Sequence, residues 1–162
     1  MMERVLSVNY EKCCGCEYCM LICSMVHENT VKMSKSRIKI YRNEDEAMSV
    51  PVVCEHCIDP PCIPACPLGA ITKSPESGIV KVNGEQCTGC QSCIAACPYS
   101  AIRIDPEKNE VFLCDLCGGD PKCAKGCMPN AIEWLENKPS VLWKKEVNAK
   151  KRNIMLKSVL EV

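Results

Sequence analysis

The stretch Cys87 to Ile102 reads CTGCQSCIAACPYSAI and carries the pattern C-x2-C-x2-C-x3-C-P. Three sulfurs at intervals of three can wrap a loop around one metal cubane. The fourth, Cys97, follows across one helical turn, about 6 Å further along at 1.5 Å per residue, and so points toward a neighbouring site. This is the spacing of the bacterial iron-sulfur run, in which the fourth cysteine ligates the other cluster of a pair. Two clusters joined in this way lie on the order of 10 Å apart, close enough to exchange electrons.

Sixteen of the chain's 17 cysteines fall into four such quartets. Cys54, Cys57, Cys62 and Cys66 follow C-x2-C-x4-C-x3-C-P, with Asp59-Pro60-Pro61 as a rigid detour. Crossing the fourth ligands gives cluster A on Cys54, Cys57, Cys62 and Cys97, and cluster B on Cys87, Cys90, Cys93 and Cys66. The outer groups form a second pair, with cluster C on Cys13, Cys16, Cys19 and Cys127, and cluster D on Cys114, Cys117, Cys123 and Cys23. The last group has a longer gap, C-x2-C-x5-C-x3-C, and Cys23 is followed by Ser24 rather than proline. Cys14 is the remainder, a small residue beside Cys13.

The surrounding text repeats too. ACPLGAI (65–71), ACPYSAI (96–102) and GCMPNAI (126–132) share a cysteine, a nearby proline and a terminal Ala-Ile. V-N-x-E-x-C precedes both Cys13 and Cys87. The expected fold class is α+β: two ferredoxin-like dicluster units, one inserted in the other, with short strands and helices around clusters. Residues 1–23 with 105–133 make a split unit (clusters C and D), and 54–104 a contiguous one (A and B). Residues 24–53 are an inserted loop and hairpin. A basic tail, 134–162, is expected to be helical beyond Pro139 and to dock a partner. Strands are predicted at Arg4 to Val8, Arg37 to Tyr41, Ser49 to Val53, Gly78 to Val82 and Val111 to Leu113, with one helical turn between each third and fourth cysteine.

Composition bounds the function. The chain has 162 residues, one Phe, two Trp and four Tyr, so side-chain packing alone makes a thin core. Clusters would fill it, and the apoprotein is expected to be largely unfolded. No apolar run has the length of a signal peptide or membrane span, which points to the cytoplasm, where clustered thiols bind metal rather than pair. Net charge is zero, but residues 138–162 carry +5 and the first 137 carry −5. No phosphate-binding glycine loop, nucleophile with its base, or nucleic-acid motif occurs, so the chain offers no catalytic site. The competing reading is a zinc-binding interaction module, but zinc sites pair two separated C-x2-C elements and have no need of a third cysteine or a fourth before proline. His56, between Cys54 and Cys57, is either a donor tuning cluster A or a plain loop histidine. His27 reads as a polar residue opening the insertion. Tyr18 and Tyr99 shield ligands from water, and Trp134, Leu135, Trp143 and Leu156 either pack on the body or anchor a partner.

CEHCIDPPCIPACPLGAI, CTGCQSCIAACPYSAI and CDLCGGDPKCAKGCMPNAI resemble the four-cluster ferredoxin-like subunits of molybdenum- and tungsten-pterin oxidoreductases, the type that accompanies dimethyl sulfoxide reductase or formate dehydrogenase catalytic subunits. The resemblance covers about residues 5 to 133. It implies paired ferredoxin folds holding four [4Fe-4S] clusters, and single electrons passing between a pterin-containing catalytic subunit and an external carrier, a further redox subunit or a soluble ferredoxin. The compact chain looks most like the partners of tungsten aldehyde oxidoreductase or benzoyl-coenzyme A reductase. The alternative is a free-standing polyferredoxin carrier.

Overall fold

A computed structural model describes residues 4–160. Four antiparallel two-stranded sheets and four helices form one α+β molecule. Strand β1 (Arg4–Val8) pairs with β8 (Ile132–Glu136) from Arg4 opposite Glu136 to Val8 opposite Ile132, so the two ends of the cysteine-bearing region meet in one sheet. Strands β2 (Lys39–Asn43) and β3 (Met48–Val52) form a hairpin. Strands β4 (Ile71–Lys73) and β5 (Val80–Val82), then β6 (Arg103–Ile104) and β7 (Val111–Phe112), form two smaller ones. Strands β4, β6 and β8 fall outside the ranges named from the sequence and begin where ACPLGAI, ACPYSAI and GCMPNAI end. At two to five residues they show little alternation of their own and are defined by their partners.

Helix length follows what stands after each fourth cysteine. Helix α2 (Ser92–Ala96) stops at Cys97, which Pro98 follows, and α3 (Lys122–Lys125) stops at Gly126. Helix α1 (Tyr18–Glu28) runs through eleven residues instead of the expected single turn. Ser24 lets the helix continue where a proline would end it, and Cys19, Met20, Cys23 and Ser24 bury one face. Left-handed Asn29 ends it, donating its amide to the Met25 carbonyl. Pro60, Pro61 and Pro64 keep the 62–66 segment in turns.

The interior divides into two cores lined by cysteine. One gathers Cys19, Cys23, Cys114, Cys123 and Cys127 with Leu6, Ile38, Leu116 and Ile132. The other gathers Cys62, Cys66, Cys87, Cys93 and Cys97 with Ile71, Val80, Ile102 and Leu113. Cys54 packs against both. A third, smaller core lies under the tail and joins Val50, Val52, Ala101 and Leu156.

The tail is a 22-residue helix, α4 (Pro139–Leu160), with proline in its first turn, where the missing N–H loses no bond. It lies on β1, β2 and β3. Lys145, Ala149, Arg152 and Leu156 share one face by their spacing, and the last three are buried. Of the residues that could either pack or anchor a partner, Leu156 packs and Trp143 is 69% exposed. Trp134 and Leu135 belong to β8, so residues 134–136 form part of the body's sheet and the tail helix begins at Pro139.

Candidate metal centre

The loop that opens each quartet repeats one backbone feature. The residue before the second cysteine takes a left-handed conformation in all four: Gly15 (φ 69), His56 (φ 48), Gly89 (φ 69) and Leu116 (φ 57). The bend turns that residue's amide back onto the first sulfur. His56 N–H donates to Cys54 Sγ at 3.5 Å and Leu116 N–H to Cys114 Sγ at 3.4 Å, and the Gly15 amide bonds Cys13. Fourth cysteines receive amides as well: Ala70 to Cys66 at 3.3 Å, Ile132 to Cys127 at 3.4 Å and Arg37 to Cys23 at 3.3 Å. Such donors favour the thiolate over the thiol.

Cysteines distant in sequence converge in four places. Cys13, Cys16, Cys19 and Cys127 line one cavity, with Cys14 at its edge. Cys66, Cys87, Cys90 and Cys93 line another. Cys62 lies within electrostatic reach of Cys97 and Cys57, and Cys54 of the same two. Cys123 lies likewise near Cys114, Cys23 and Cys117. Cys127 thus joins the cavity of Cys13, Cys16 and Cys19, and Cys66 that of Cys87, Cys90 and Cys93, each from elsewhere in the chain, while Cys97 lies near Cys54 and Cys62, and Cys23 near Cys114 and Cys123.

Left as free thiols these groups would be poor ligands. Burial, followed by the charges of neighbouring cysteines, pushes Cys19 up to about 12. Burial pushes Cys114 up to about 12, Cys62 to about 11, and Cys54 and Cys123 higher still. Four buried thiolates at one point become stable only when a cationic core shares the space. An all-sulfur donor set with amide N–H groups aimed at it suits iron-sulfide chemistry.

Influence also crosses between quartets at three places. Cys93 acts on Cys62, Cys114 on Cys54, and Cys19 on Cys123. Exposed cysteines among the quartets are confined to two groups: Cys16 in that of Cys13 and Cys127, and Cys90 in that of Cys66 and Cys87. Cys14 is exposed beside the former.

The sequence reading undervalued His27. From α1 its Nδ1 donates to the Cys23 carbonyl at 2.9 Å and its Nε2 to Asp115 Oδ1 at 3.0 Å. Both partners are acceptors, so both ring nitrogens carry protons. Hydrogen bonds to Asp115, Cys117 and Cys23 accordingly raise its pKa to about 12. Burial alone would raise the Asp115 carboxyl, but His27 and Arg37 hold it well below the ordinary carboxylate range. His27, Asp115 and Cys117 place ligand atoms within 4.8 Å of one another, yet the imidazolium has no lone pair left for a metal. His27 thus puts a fixed cation beside the Cys114–Cys123 loop. Its only sequence signal was a position four residues after Cys23, one turn further along α1.

His56 is buried and neutral. Burial, then the charge of Lys145, lowers its pKa to about 4. Tyr18 is half exposed at the rim of the Cys13–Cys127 cavity, and Tyr99 packs with Cys97 and Leu156.

A cysteine-rich interior of paired ferredoxin-like units defines an iron-sulfur protein. Residues 45–138 match the 4Fe-4S dicluster domain, and the chain belongs to that family. It is 39% identical over 128 residues to the aliphatic sulfonate oxidoreductase, polyferredoxin-like subunit, of Pyrococcus furiosus, covering 78% of this chain and 73% of that one. It is 35% identical over 127 residues to the NADH-dependent phenylglyoxylate dehydrogenase subunit beta of Aromatoleum evansii, covering 76% of this chain but only 28% of the relative. Among solved structures, the active site complex BamBC of benzoyl-coenzyme A reductase with 1,5 dienoyl-CoA superposes with a TM-score of 0.50 at 20% identity, over 98% of each chain. That likeness concerns the fold alone.

Proposed function

We propose that this chain is the electron-transfer subunit of an oxidoreductase complex and holds four [4Fe-4S] clusters. Cluster A is assigned to Cys54, Cys57, Cys62 and Cys97, and B to Cys87, Cys90, Cys93 and Cys66. Cluster C is assigned to Cys13, Cys16, Cys19 and Cys127, and D to Cys114, Cys117, Cys123 and Cys23. Bound clusters supply reversible one-electron redox chemistry. The chain's own residues space them, shield them and donate amides to their sulfurs.

The observation that carries this reading is Cys54, which packs against both sulfur-lined cores and lies within electrostatic reach of Cys114. Together with the Cys62–Cys93 and Cys123–Cys19 proximities it supports a path in the order B, A, D, C. The inner pair has no exposed cysteine and each outer group has one, as a relay with two ports requires. At the C port, exposed Tyr18 lines the cavity and exposed Met128 stands between its lining residues Cys127 and Pro129, apolar surface suited to a standing partner. That partner is a tungsten- or molybdenum-pterin catalytic subunit, with the aldehyde oxidoreductase or benzoyl-coenzyme A reductase type favoured. The polyferredoxin-like name of the Pyrococcus relative supports an oxidoreductase subunit. An external carrier would use the B port, and this chain would hold no catalytic site. No helix among the described residues is long and apolar enough to cross a membrane.

Anaerobic purification tests the reading. We expect about 16 iron and 16 acid-labile sulfide per chain, four of each per cubane, and co-elution with a larger pterin-bearing subunit. Zinc without sulfide would sink the proposal, and a loaded species eluting alone near 18.0 kDa would favour a free carrier.

A further inference from the structure

His56 belongs to no ligand set, yet it sits between two cysteines of one. Its ring is 7% exposed. Nδ1 accepts the Val80 amide at 3.1 Å, so that nitrogen's lone pair is used and the ring proton resides on Nε2. Nε2, on the far side of the ring, is buried and meets no acceptor among the described residues. An N–H buried in this way is unfavourable unless something accepts it.

The backbone adds a second unfavourable feature. At this position of the repeat the loops opening at Cys13 and Cys87 have glycine, for which a positive φ is free of strain. Histidine at φ 48 is strained there, because its Cβ crowds the backbone. A strained backbone carrying an unpartnered donor, beside the one cysteine common to both cores, calls for an acceptor that the polypeptide itself does not supply. Iron-sulfur clusters present sulfur acceptors on every face.

We propose that His56 donates its Nε2–H to a sulfur of the cluster held by Cys54, and that this bond raises the reduction potential of that cluster relative to the other three. The inference rests on the cluster assignment proposed above. A hydrogen bond to cluster sulfur stabilises the reduced state, which carries one more negative charge. Cluster A is the point at which an electron crosses from one dicluster unit to the other, so the histidine acts as a positioning and tuning residue at that crossing. The ring takes up no proton in the step, because its Nδ1 is already occupied by Val80.

The test is a potentiometric titration followed by electron paramagnetic resonance on the loaded full chain, comparing wild type, His56→Leu and His56→Gln. In His56→Leu one midpoint should fall while three stay fixed, at unchanged iron and sulfide content. His56→Gln, whose amide reaches the former Nε2 position, should recover most of the shift. Four unmoved midpoints, or an equal drift of all four, would overturn the proposal. Should His56→Leu fail to keep its clusters, 15N-histidine labelling of wild type and His56→Gln decides. A nitrogen coupling to the reduced cluster of Cys54 should be present in the first and absent in the second, where only His27, beside Cys23, stays labelled, and equal coupling at the Cys54 cluster counts against the bond. Wild-type protein without acid-labile sulfide would instead sink the cluster assignment itself, a distinguishable failure.

Discussion

Arg152, buried on the tail helix, forms an ion pair with Glu55, the residue between Cys54 and His56. Lys145, two turns earlier on the same face, donates to the Glu55 carbonyl at 2.8 Å. The C-terminal helix is therefore fastened to the very loop that carries three of the groups discussed above. Lys145 Nζ also stands 3.5 Å from Glu55 Oε2, so removing Arg152 leaves the buried carboxylate with one cation instead of two, at a loss of about 3 kcal/mol. Arg152→Met should lower hydrogen-exchange protection across α4 by about that amount. The double variant with Glu55→Gln should regain part of it, because no under-compensated carboxylate is then buried and Lys145 keeps its bond to the backbone carbonyl of residue 55. Unchanged protection in Arg152→Met would show that Ala149 and Leu156 alone hold the helix.

The crossed assignment makes a sharper demand. If Cys97 serves the cluster of Cys54, Cys57 and Cys62, then Cys97→Ala and Cys57→Ala should each remove the same paramagnetic component and about a quarter of the iron, four of 16 atoms. The pair combined should remove no more. Cys97→Ala combined with Cys90→Ala should remove two components. Were Cys97→Ala to abolish the same signal as Cys90→Ala, the fourth ligand would belong to its own run.

The reach of the sequence can be judged residue by residue. Cysteine spacing made the four runs legible, because a ligand run is a local pattern. The β1–β8 sheet was implicit in the same crossing, since Cys127 must return to the Cys13 loop, although β8 itself carries little alternation. Long-range polar partners were not legible. Nothing at His27 announces Asp115, and nothing in a lysine-rich tail announces that Arg152 is buried on Glu55 while Trp143 faces solvent. Charge counted along the chain gave the tail its sign but not its inward-facing cation. Lys35 lies in the charged insertion, where nothing local marks it for burial, and is 6% exposed.

That buried lysine sets a pH expectation. Lys35 Nζ lies 2.8 Å from both carboxylate oxygens of Asp105 and 2.9 Å from Glu107, tying the insertion to the entry of the second half of the split unit. Burial by itself would raise Asp105, but Lys35 and the amides of Glu107 and Lys108 hold it down to about 2. Its carboxyl therefore lies lower folded than its ordinary 3.8, so its contribution is complete above pH 3.8 and fades as pH falls toward 2. Lys35 is raised above its ordinary 10.5 by Asp105 and Glu107, so its share is complete below pH 10.5 and fades above it. The stability difference between wild type and Asp105→Asn should accordingly be flat from pH 5 to 9, read as the denaturant needed to bleach the clusters. A difference that shrinks between pH 7 and 5 would contradict the pairing.

Two glycines in equivalent ligand loops should respond differently to a methyl group. Gly118 has φ 68 and nothing within 4 Å of where a Cβ would stand, so Gly118→Ala carries only the conformational strain, about 1–2 kcal/mol. Gly89 has φ 69 and its Cβ would stand 2.1 Å from the Asn109 carbonyl oxygen. Asn109 is itself held left-handed, at φ 55, in the turn between β6 and β7, so that backbone has little room to retreat. Overpacking against it adds about 1–3 kcal/mol to the same strain. Gly89→Ala should therefore lose its visible cluster absorbance in chelator markedly faster than Gly118→Ala, and the loss should begin with the cluster bound by Cys87, Cys90 and Cys93. Equal rates for the two variants would mean that the β6–β7 turn yields freely and that the close approach at Gly89 does not shape the ligand loop.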